Sequence, residues 1–139
     1  MDQETKKKMF KAAQKAQKNA YVPYSEFPLG AAVLTEDNEI YTGVNIENAS
    51  FSLTNCAERS AIFSAVSDGK RKIKALLIVS STANPVTPCG ACRQVIKEFA
   101  DGEIEVIMMT ENGEELTMTS TELLPGAFTD SQMEGNNDL

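Results

Sequence analysis

The chain has 139 residues, which is the size of one domain and enough to bury a hydrophobic core without disulfide bonds. Twenty acidic and thirteen basic residues give a formal net charge of −7, which disfavours a nucleic-acid partner, because phosphate binding usually needs a basic face. No apolar run is long enough to span a bilayer, and residues 1–8 lack the apolar segment of a signal peptide, so we expect no membrane partner. These features predict one cytoplasmic domain over residues 1–130 and a flexible tail over residues 131–139.

The first predicted element is an amphipathic helix over residues 3–19, a stretch of helix formers without Gly or Pro. Its lysines, at positions 6, 7, 8, 11, 15 and 18, alternate with apolar residues at helical spacing. This pattern favours a solvated helix face over a nucleic-acid surface. Two strands are predicted next, at residues 29–35 and 39–45, as a hairpin followed by a loop over residues 47–53.

Helices and strands alternate in the rest of the chain. The predicted elements are helix 56–67, strand 73–80, helix 89–100, strands 104–110 and 115–118, and a helical turn at 119–124. The order β-β-α-β-α-β predicts the α/β class, as a three-layer α/β/α sandwich with a mixed five-stranded sheet.

Five residues carry signals for helix starts. Thr54 and Asn55 offer N-cap side chains for the helix over residues 56–67. Pro88 lies where prolines favour the start of a helix. Ser120 or Thr121 is placed to cap the last helical turn.

The three cysteines fall into two short motifs, Cys56-Ala57-Glu58 and Pro88-Cys89-Gly90-Ala91-Cys92, in a chain without histidine. An odd cysteine count in the cytoplasm argues for reduced thiols rather than a disulfide framework. Cys89 and Cys92 project from one face of a helix's first turn, and the β-α-β-α order would bring Cys56 to the same sheet edge. Three protein ligands with a fourth position left for water are typical of catalytic zinc, so the motifs predict a Zn²⁺ cofactor.

Two residues beside Cys56 have predicted roles at this metal. With Cys56 at the helix entry, Glu58 can lie over the open zinc position and move a proton; the alternative is a solvated first-turn glutamate. Arg59 is hypothesised to donate hydrogen bonds to the sulfurs and offset the charge of three thiolates; the alternative is an ordinary surface arginine.

Other kinds of cysteine site stay open at this stage. A Cys-x-x-Cys pair also occurs in zinc ribbons and redox proteins, although a redox pair leaves Cys56 unexplained. A structural zinc would need a fourth ligand, which here would have to be a carboxylate. A zinc-stabilised binding module without catalysis therefore remains an alternative to an enzyme.

The two cysteine motifs resemble the zinc nucleobase deaminase signature in its three-cysteine form. Residues 24–32, 43–50, 56–59 and 123–128 are similar to small bacterial cytidine deaminases, and the resemblance runs in unbroken order through residues 10–128. It implies the cytidine deaminase-like fold and hydrolytic deamination of cytidine and 2′-deoxycytidine, with release of ammonia, in pyrimidine salvage. The partner is then a small nucleoside, and a cytosine-containing antibiotic such as blasticidin S is the alternative substrate.

The resemblance also implies roles for individual residues. Glu58 would take a proton from the attacking water, protonate N3 of the base and help the amine to leave. Phe27 would face the pyrimidine, the backbone of Ala57 would hold the base carbonyl, and Asn45 and Glu47 would bind the sugar 3′-hydroxyl. From the residues alone, a Phe before Pro at a strand entry is usually a core side chain, Asn45 is a common turn residue and Glu47 a common loop charge.

Assembly is the last implication of the resemblance. The three-cysteine members are homotetramers with shared active sites, and Phe128 and the stretch from Ala49 to Phe51 match positions that cross subunits there. Phe51 stands where many relatives have Tyr, so a hydroxyl that could meet the ribose 5′-hydroxyl is missing.

Overall fold

Five strands and five α-helices make up the part of the chain, residues 1–135, that this computed structural model describes. The strands are β1 (Leu29–Thr35), β2 (Ile40–Val44), β3 (Ile73–Ser80), β4 (Ala100–Thr110) and β5 (Glu115–Thr119). The helices are α1 (Gln3–Gln17), α2 (Ala57–Ser67), α3 (Gly90–Phe99), α4 (Ser120–Leu123) and α5 (Asp130–Gly135), and a short 3-10 turn covers Phe51–Leu53.

The strands form one mixed sheet in the order β2-β1-β3-β4-β5. Strand β1 pairs antiparallel with both β2 and β3, β3 and β4 are parallel, and β4 pairs antiparallel with β5. The parallel pair requires a crossover connection, and α3 supplies it. The predicted mixed five-stranded sheet is therefore confirmed.

Helices cover both faces of this sheet, because alternate residues of each strand point to opposite sides. On one face, Ile62 of α2 and Ile96 of α3 pack with Ile78 and other buried residues. On the other face, Met9 and Ala13 of α1 pack with a second set of strand residues. Each large apolar side chain buried in this way contributes about 1.5–3 kcal/mol. The three-layer α/β/α prediction is confirmed, and five of the six helix lysines, all but half-buried Lys6, are exposed.

Helix α2 lies unusually close to strand β2. A Cβ atom built on Gly43 would stand 2.2 Å from the backbone nitrogen of Ala61 and 2.6 Å from the carbonyl carbon of Ser60. Only glycine permits this approach, since no real side chain makes such contacts. The close packing fixes the first turns of α2, which carry the Cys56-Ala57-Glu58 motif, against the sheet.

The predicted helix starts need correction. Thr54 and Asn55 do not cap α2: its N-cap is Cys56, which makes no side-chain cap bond. Asn55 is unable to cap because its backbone pairs with Ile46 and its side chain bonds to Ser60.

The last turn and strand β4 also differ from expectation. Helix α4 is capped by Thr119, not by Ser120 or Thr121, because Thr119 has extended backbone and forms a capping box with Glu122. Strand β4 begins at Ala100 rather than at residue 104, because Ala100 pairs with Ile73.

The end of the described chain is helical. Residues 131–135 of the predicted tail belong to α5, and residues 136–139 lie outside the described residues. Whether this segment is flexible stays a prediction. Among residues 1–135, no helix combines the length and apolar character needed to cross a membrane.

Candidate metal centre and substrate cavity

The three cysteine side chains meet where α2 and α3 begin. The Sγ atoms of Cys56 and Cys89 are 3.8 Å apart, those of Cys89 and Cys92 are 3.4 Å apart, and all three lie within 4.8 Å of one another. Sulfurs bound to one tetrahedral zinc at about 2.3 Å would have similar separations. The spacing and the thiol chemistry of this cluster therefore fit a zinc ion.

Local backbone structure explains why these sulfurs are free to bind a metal. Cys56 and Cys89 both occupy helix N-cap positions with extended backbone, and neither side chain makes a capping hydrogen bond. Cys92 lies in the first turn of α3 and is fully buried. Two helix N-termini, each with a partial positive charge, thus point toward the thiol cluster and favour thiolates there.

Arg59 contacts the cluster directly. Its Nη2 atom lies 3.4 Å from Cys56 Sγ, as the sequence hypothesis expected of a hydrogen-bond donor to sulfur. The neighbouring Cys92 thiol and, after it, the Arg59 guanidinium lower the pKa of Cys56 to about 5. This contact places the guanidinium where it would offset part of the negative charge of metal-bound thiolates.

Glu58 is the buried carboxylate of the site. It is 4% exposed, and its Oε1 atom is buried without a hydrogen-bond partner among the described residues. Burial, and then the nearby charge of Cys56, raise the pKa of Glu58 above its ordinary value. An unpartnered buried carboxylate oxygen is costly, and such groups concentrate at functional sites. This oxygen and the three thiols together suit a catalytic metal ion.

A cavity of about 200 Å³ opens beside the cysteines. Its lining residues are Leu29, Asn45, Thr54, Cys56, Glu58, Ile78, Val86, Thr87 and Cys89. A neighbouring cavity of about 360 Å³ is lined by Tyr24, Ser25, Glu47, Phe51 and Thr54, so Thr54 borders both. A larger cavity of about 520 Å³ beside α1 contains none of the predicted site residues.

The two predicted sugar-binding residues are held by the loop before β1. Asn45 donates from Nδ2 to the Phe27 carbonyl at 2.8 Å and accepts at Oδ1 from the Leu29 amide at 2.9 Å. Glu47 accepts at Oε1 from the Tyr24 and Ser25 amides at 3.0 and 3.1 Å, and at Oε2 from the Ser25 hydroxyl. The Ser25 hydroxyl holds the pKa of Glu47 below its ordinary value, so this side chain is an ionised acceptor.

The remaining predicted residues divide into two groups. Ala57 is buried as the first residue of α2, Phe27 is half-buried beside Asn45, and Phe51 lines the 360 Å³ cavity. Phe128 is 58% exposed and lines a separate small cavity near Lys72 and Lys97, and Ala49 is exposed and lines none of these cavities. Within one chain, the structure does not bring these two residues to the cysteines.

Several lining residues of the cavities were missed from sequence, and two of them stand out. Thr54 lines both cavities, and the Ser25 hydroxyl lowers the pKa of Glu47. Thr54 stands two positions before Cys56, so alternation along an extended segment was a usable signal for it. Ser25 offered no local signal, because its contact lies 22 positions away.

Residues 3–109 match the family model described as the cytidine and deoxycytidylate deaminase zinc-binding region. The chain belongs to this deaminase family. The predicted family and the predicted Zn²⁺ cofactor are confirmed, since the matched model is a zinc-binding region and the structure supplies its three-thiol group.

Individual members of the deaminase family are similar over almost the whole chain. A cytidine deaminase of Sporosarcina psychrophila is 55% identical over 87% of this chain and 89% of its own length. The crystal structure of cytidine deaminase from Burkholderia pseudomallei has a TM-score of 0.85 at 42% identity, covering 92% of this chain and all of that one. A blasticidin-S deaminase of Bacillus cereus is 35% identical over 73% of this chain and 76% of its own.

Proposed function

We propose that this deaminase converts cytidine and 2′-deoxycytidine into uridine and 2′-deoxyuridine, with water consumed and ammonia released. The observation that carries the proposal is the buried, unpartnered Oε1 of Glu58, which shares a cavity with Cys56 and Cys89. A purely structural zinc would need a fourth protein ligand, but among the described residues the group of ligand atoms lying within 4.8 Å of one another contains the three cysteines and not Glu58. The names of the similar proteins support a nucleoside as substrate.

In this proposal the metal is held by Cys56, Cys89 and Cys92. Zinc bound there supplies a Lewis acid that makes a water molecule acidic enough to attack at neutral pH. Arg59 and the N-termini of α2 and α3 offset the charge of the three sulfurs, which would otherwise weaken that effect.

Glu58 moves the protons of the reaction. It takes one proton from the attacking water as the new C4–O bond forms and gives that proton to N3 of the base. It then moves the remaining hydroxyl proton to the exocyclic amine, so that the C4–N bond breaks and ammonia leaves. Burial suits both steps, because it raises the pKa of Glu58 toward the range where a carboxyl group both accepts and donates protons.

The sugar is bound on the other side of Thr54. A carboxylate has about four acceptor positions, and Glu47 uses three of them on the Tyr24 and Ser25 amides and the Ser25 hydroxyl. One acceptor position on Oε2 therefore remains for one donating hydroxyl of the sugar. In the proposal, Asn45 binds beside it, Phe27 faces the pyrimidine and Ala57 holds the base carbonyl through its backbone.

Shared active sites are the second part of the proposal. Phe51 and Leu53 are 78% and 67% exposed, which is unusual for large apolar side chains. Phe128 lies away from the cysteine cavity of its own chain. We infer a homotetramer in which Ala49, Phe51 and Phe128 complete neighbouring sites, in a cytoplasmic enzyme of pyrimidine salvage whose partners include no nucleic acid.

The blasticidin S alternative is less well supported. The antibiotic lacks the ribose hydroxyls for which the single acceptor position on Glu47 is suited. A non-catalytic binding module is disfavoured because its zinc would need a fourth protein ligand, and among the described residues Glu58 does not join the three cysteines within coordinating range.

The test is the ultraviolet absorbance change when cytidine is added to purified protein, with zinc content measured in parallel. We expect conversion by the wild type and a loss of at least about 10²-fold in kcat for zinc-loaded Glu58→Gln, which keeps the side chain's size but removes its proton transfer. Blasticidin S is assayed beside cytidine. Zinc-loaded wild type that leaves cytidine unchanged would refute the proposal.

A further inference from the structure

A two-residue β-bridge outside the main sheet joins the segment that carries Glu47, the proposed sugar-binding residue, to the segment that carries the metal ligand Cys56. The Ile46 amide donates to the Asn55 carbonyl at 2.9 Å, and the Asn55 amide donates to the Ile46 carbonyl at 2.9 Å. These two bonds make an isolated antiparallel bridge between the segment after β2 and the segment before α2. A parallel bridge from Tyr21 to Ile46 adds a third strand-like segment.

The bridge decides which side chains face the substrate. In an antiparallel pair, the residues that flank the two partners lie across from each other, and side chains alternate between faces. Asn45 therefore lies opposite Cys56, and Glu47 lies opposite Thr54. The cavities agree with this arrangement, since Asn45, Thr54 and Cys56 line the first, and Glu47 and Thr54 line the second.

The two bridge residues point to the opposite face. Ile46 and Asn55 line a groove of about 500 Å³ together with Ser60 and other residues of α2. There Asn55 donates from Nδ2 to the Ser60 Oγ atom at 3.0 Å. This hydrogen bond ties the bridge to the start of α2, whose N-cap residue Cys56 makes no side-chain cap bond of its own.

Ser60 is itself held firmly against the sheet. An ideal Cβ on Gly43 would stand 2.7 Å from Ser60 Cβ, so helix and strand are in direct backbone contact at this point. A side chain bonded to Ser60 is therefore anchored to a rigid part of the fold rather than to a mobile surface.

We propose that Asn55 is a positioning residue: through its hydrogen bond to Ser60 it fixes the bridge against α2 and so sets where Cys56 and Glu58 lie relative to Asn45. Its side chain lies in the groove behind the site and acts through these neighbours. The inference rests on the proposed function for its kinetic consequence, but its consequence for the metal is independent of any substrate.

The experiment compares Asn55→Ala, Ser60→Ala and the double variant, each loaded with zinc. The first readout is the rate at which zinc passes to a colorimetric chelator; the second is kcat and KM for cytidine. We expect each single variant to release zinc about tenfold faster, which is the size expected for one lost hydrogen bond. We also expect kcat to fall more than KM rises, because displaced reacting groups weaken the transition state more than substrate binding.

The double variant shows whether Asn55 affects zinc release through its hydrogen bond to Ser60. If Asn55 acts through Ser60, the double variant should release zinc no faster than either single variant, because both remove the same bond. Ser64→Ala, which removes an exposed hydroxyl one turn further along α2, is the matched control and should behave as wild type.

The outcomes are distinguishable. Zinc release and kcat at wild-type values in folded Asn55→Ala, even with a lower melting temperature, would overturn the positioning role, and so would additive effects in the double variant. If the wild type does not deaminate cytidine, the proposed function fails, and the zinc-release rates alone then decide the role of Asn55.

Discussion

The Arg59 guanidinium stands 3.4 Å from Cys56 Sγ, at the point where α2 begins and three thiols converge. The two residues are three positions apart, so one helical turn brings the positive charge beside the sulfur. The buried Nε of Arg59 has no partner among the described residues, and no ion pair there involves its guanidinium. Contact with the thiol cluster therefore determines where this side chain lies.

Replacing Arg59 by a neutral residue should weaken the metal centre. For Arg59→Gln we expect zinc affinity to fall about tenfold, as is typical when a residue supporting a metal ligand is lost, and kcat to fall with it. Competition with a chelator and steady-state kinetics measure the two effects. Arg71→Gln is the control, because Arg71 bonds only to backbone carbonyls, at the other end of α2. Equal zinc affinity in both variants would remove the role of Arg59.

The close approach at Gly43 predicts a large stability effect. A methyl group at this position would overlap the Ala61 nitrogen, and because the obstacle is backbone, the helix itself must move. We expect Gly43→Ala to lower the free energy of unfolding by about 1–3 kcal/mol or more, measured by urea denaturation at fixed protein concentration. Gly90→Ala is the control, since nothing lies within 4 Å of a Cβ there. Similar values for both variants would contradict the prediction.

The contact between Ser25 and Glu47 predicts a pH dependence. The Ser25 hydroxyl favours the charged form of Glu47 and lowers its pKa from 4.5, so Ser25→Ala should raise that pKa. If the ionised carboxylate binds a sugar hydroxyl, KM for cytidine should stay flat as pH falls toward the pKa and rise below it. The rise should begin at higher pH in Ser25→Ala.

The same contact also determines the direction in which the stability of the fold should change with pH. Because the pKa of Glu47 is lowered in the folded protein, its stabilising contribution is present above the unfolded value and is lost as pH falls through the folded one. Ser64→Ala is again a suitable control. Identical KM profiles for Ser25→Ala and the wild type would show that this hydroxyl does not tune the sugar site.

Exposed apolar residues after Ile46 predict assembly. Leu53 is 67% exposed, and burying such a side chain in an interface contributes about 1.5–3 kcal/mol. We expect light scattering to give the mass of a tetramer for the wild type and a shift toward smaller species for Leu53→Ser. Leu116→Ser, at a 42% exposed position on the edge strand β5, should leave the mass unchanged. A monomeric wild type would refute the shared-site proposal.

Removing zinc should destabilise the fold and expose the cysteines to reagents. A zinc ion bound by the three thiols, which lie within 4.8 Å of one another, would link α2 to α3. Its removal takes away the binding free energy of that link. We expect the melting temperature to fall by several degrees on chelation and to recover when zinc is restored. Cys89, which is exposed, should be alkylated faster after chelation. An unchanged melting temperature and unchanged alkylation would argue against a bound ion.

Much of the fold is determined by local sequence. The apolar runs at residues 29–35 and 73–80 predict β1 and β3 at their observed bounds, since buried strands need continuous apolar segments. The three-residue spacing of Cys89 and Cys92 places both at the first turn of α3. The sequence alone accordingly indicates the three-layer fold, the two cysteine motifs and the family resemblance.

Helix caps were harder to predict, because capping side chains have competing partners. Asn55 has the chemistry of an N-cap, yet its backbone is committed to Ile46 and its amide to Ser60, which lie elsewhere in the chain. Thr119 was placed inside the predicted helical turn, whereas in the structure it ends strand β5 and caps α4 from the preceding position. In both cases the decisive contact was one that residue type alone does not specify.

The sequence by itself determined the types of metal ligand, the placement of Cys89 and Cys92 on one helical turn, and the layers of the fold. These features depend on side-chain chemistry and on helix and strand periods. Only the tertiary structure decided that Cys56 lies 3.8 Å from Cys89, that the Glu58 carboxylate is buried without a partner, and that Asn45 faces Cys56. Those facts depend on packing between segments more than thirty residues apart or on the register of a two-residue bridge, and neither is encoded in local periodicity.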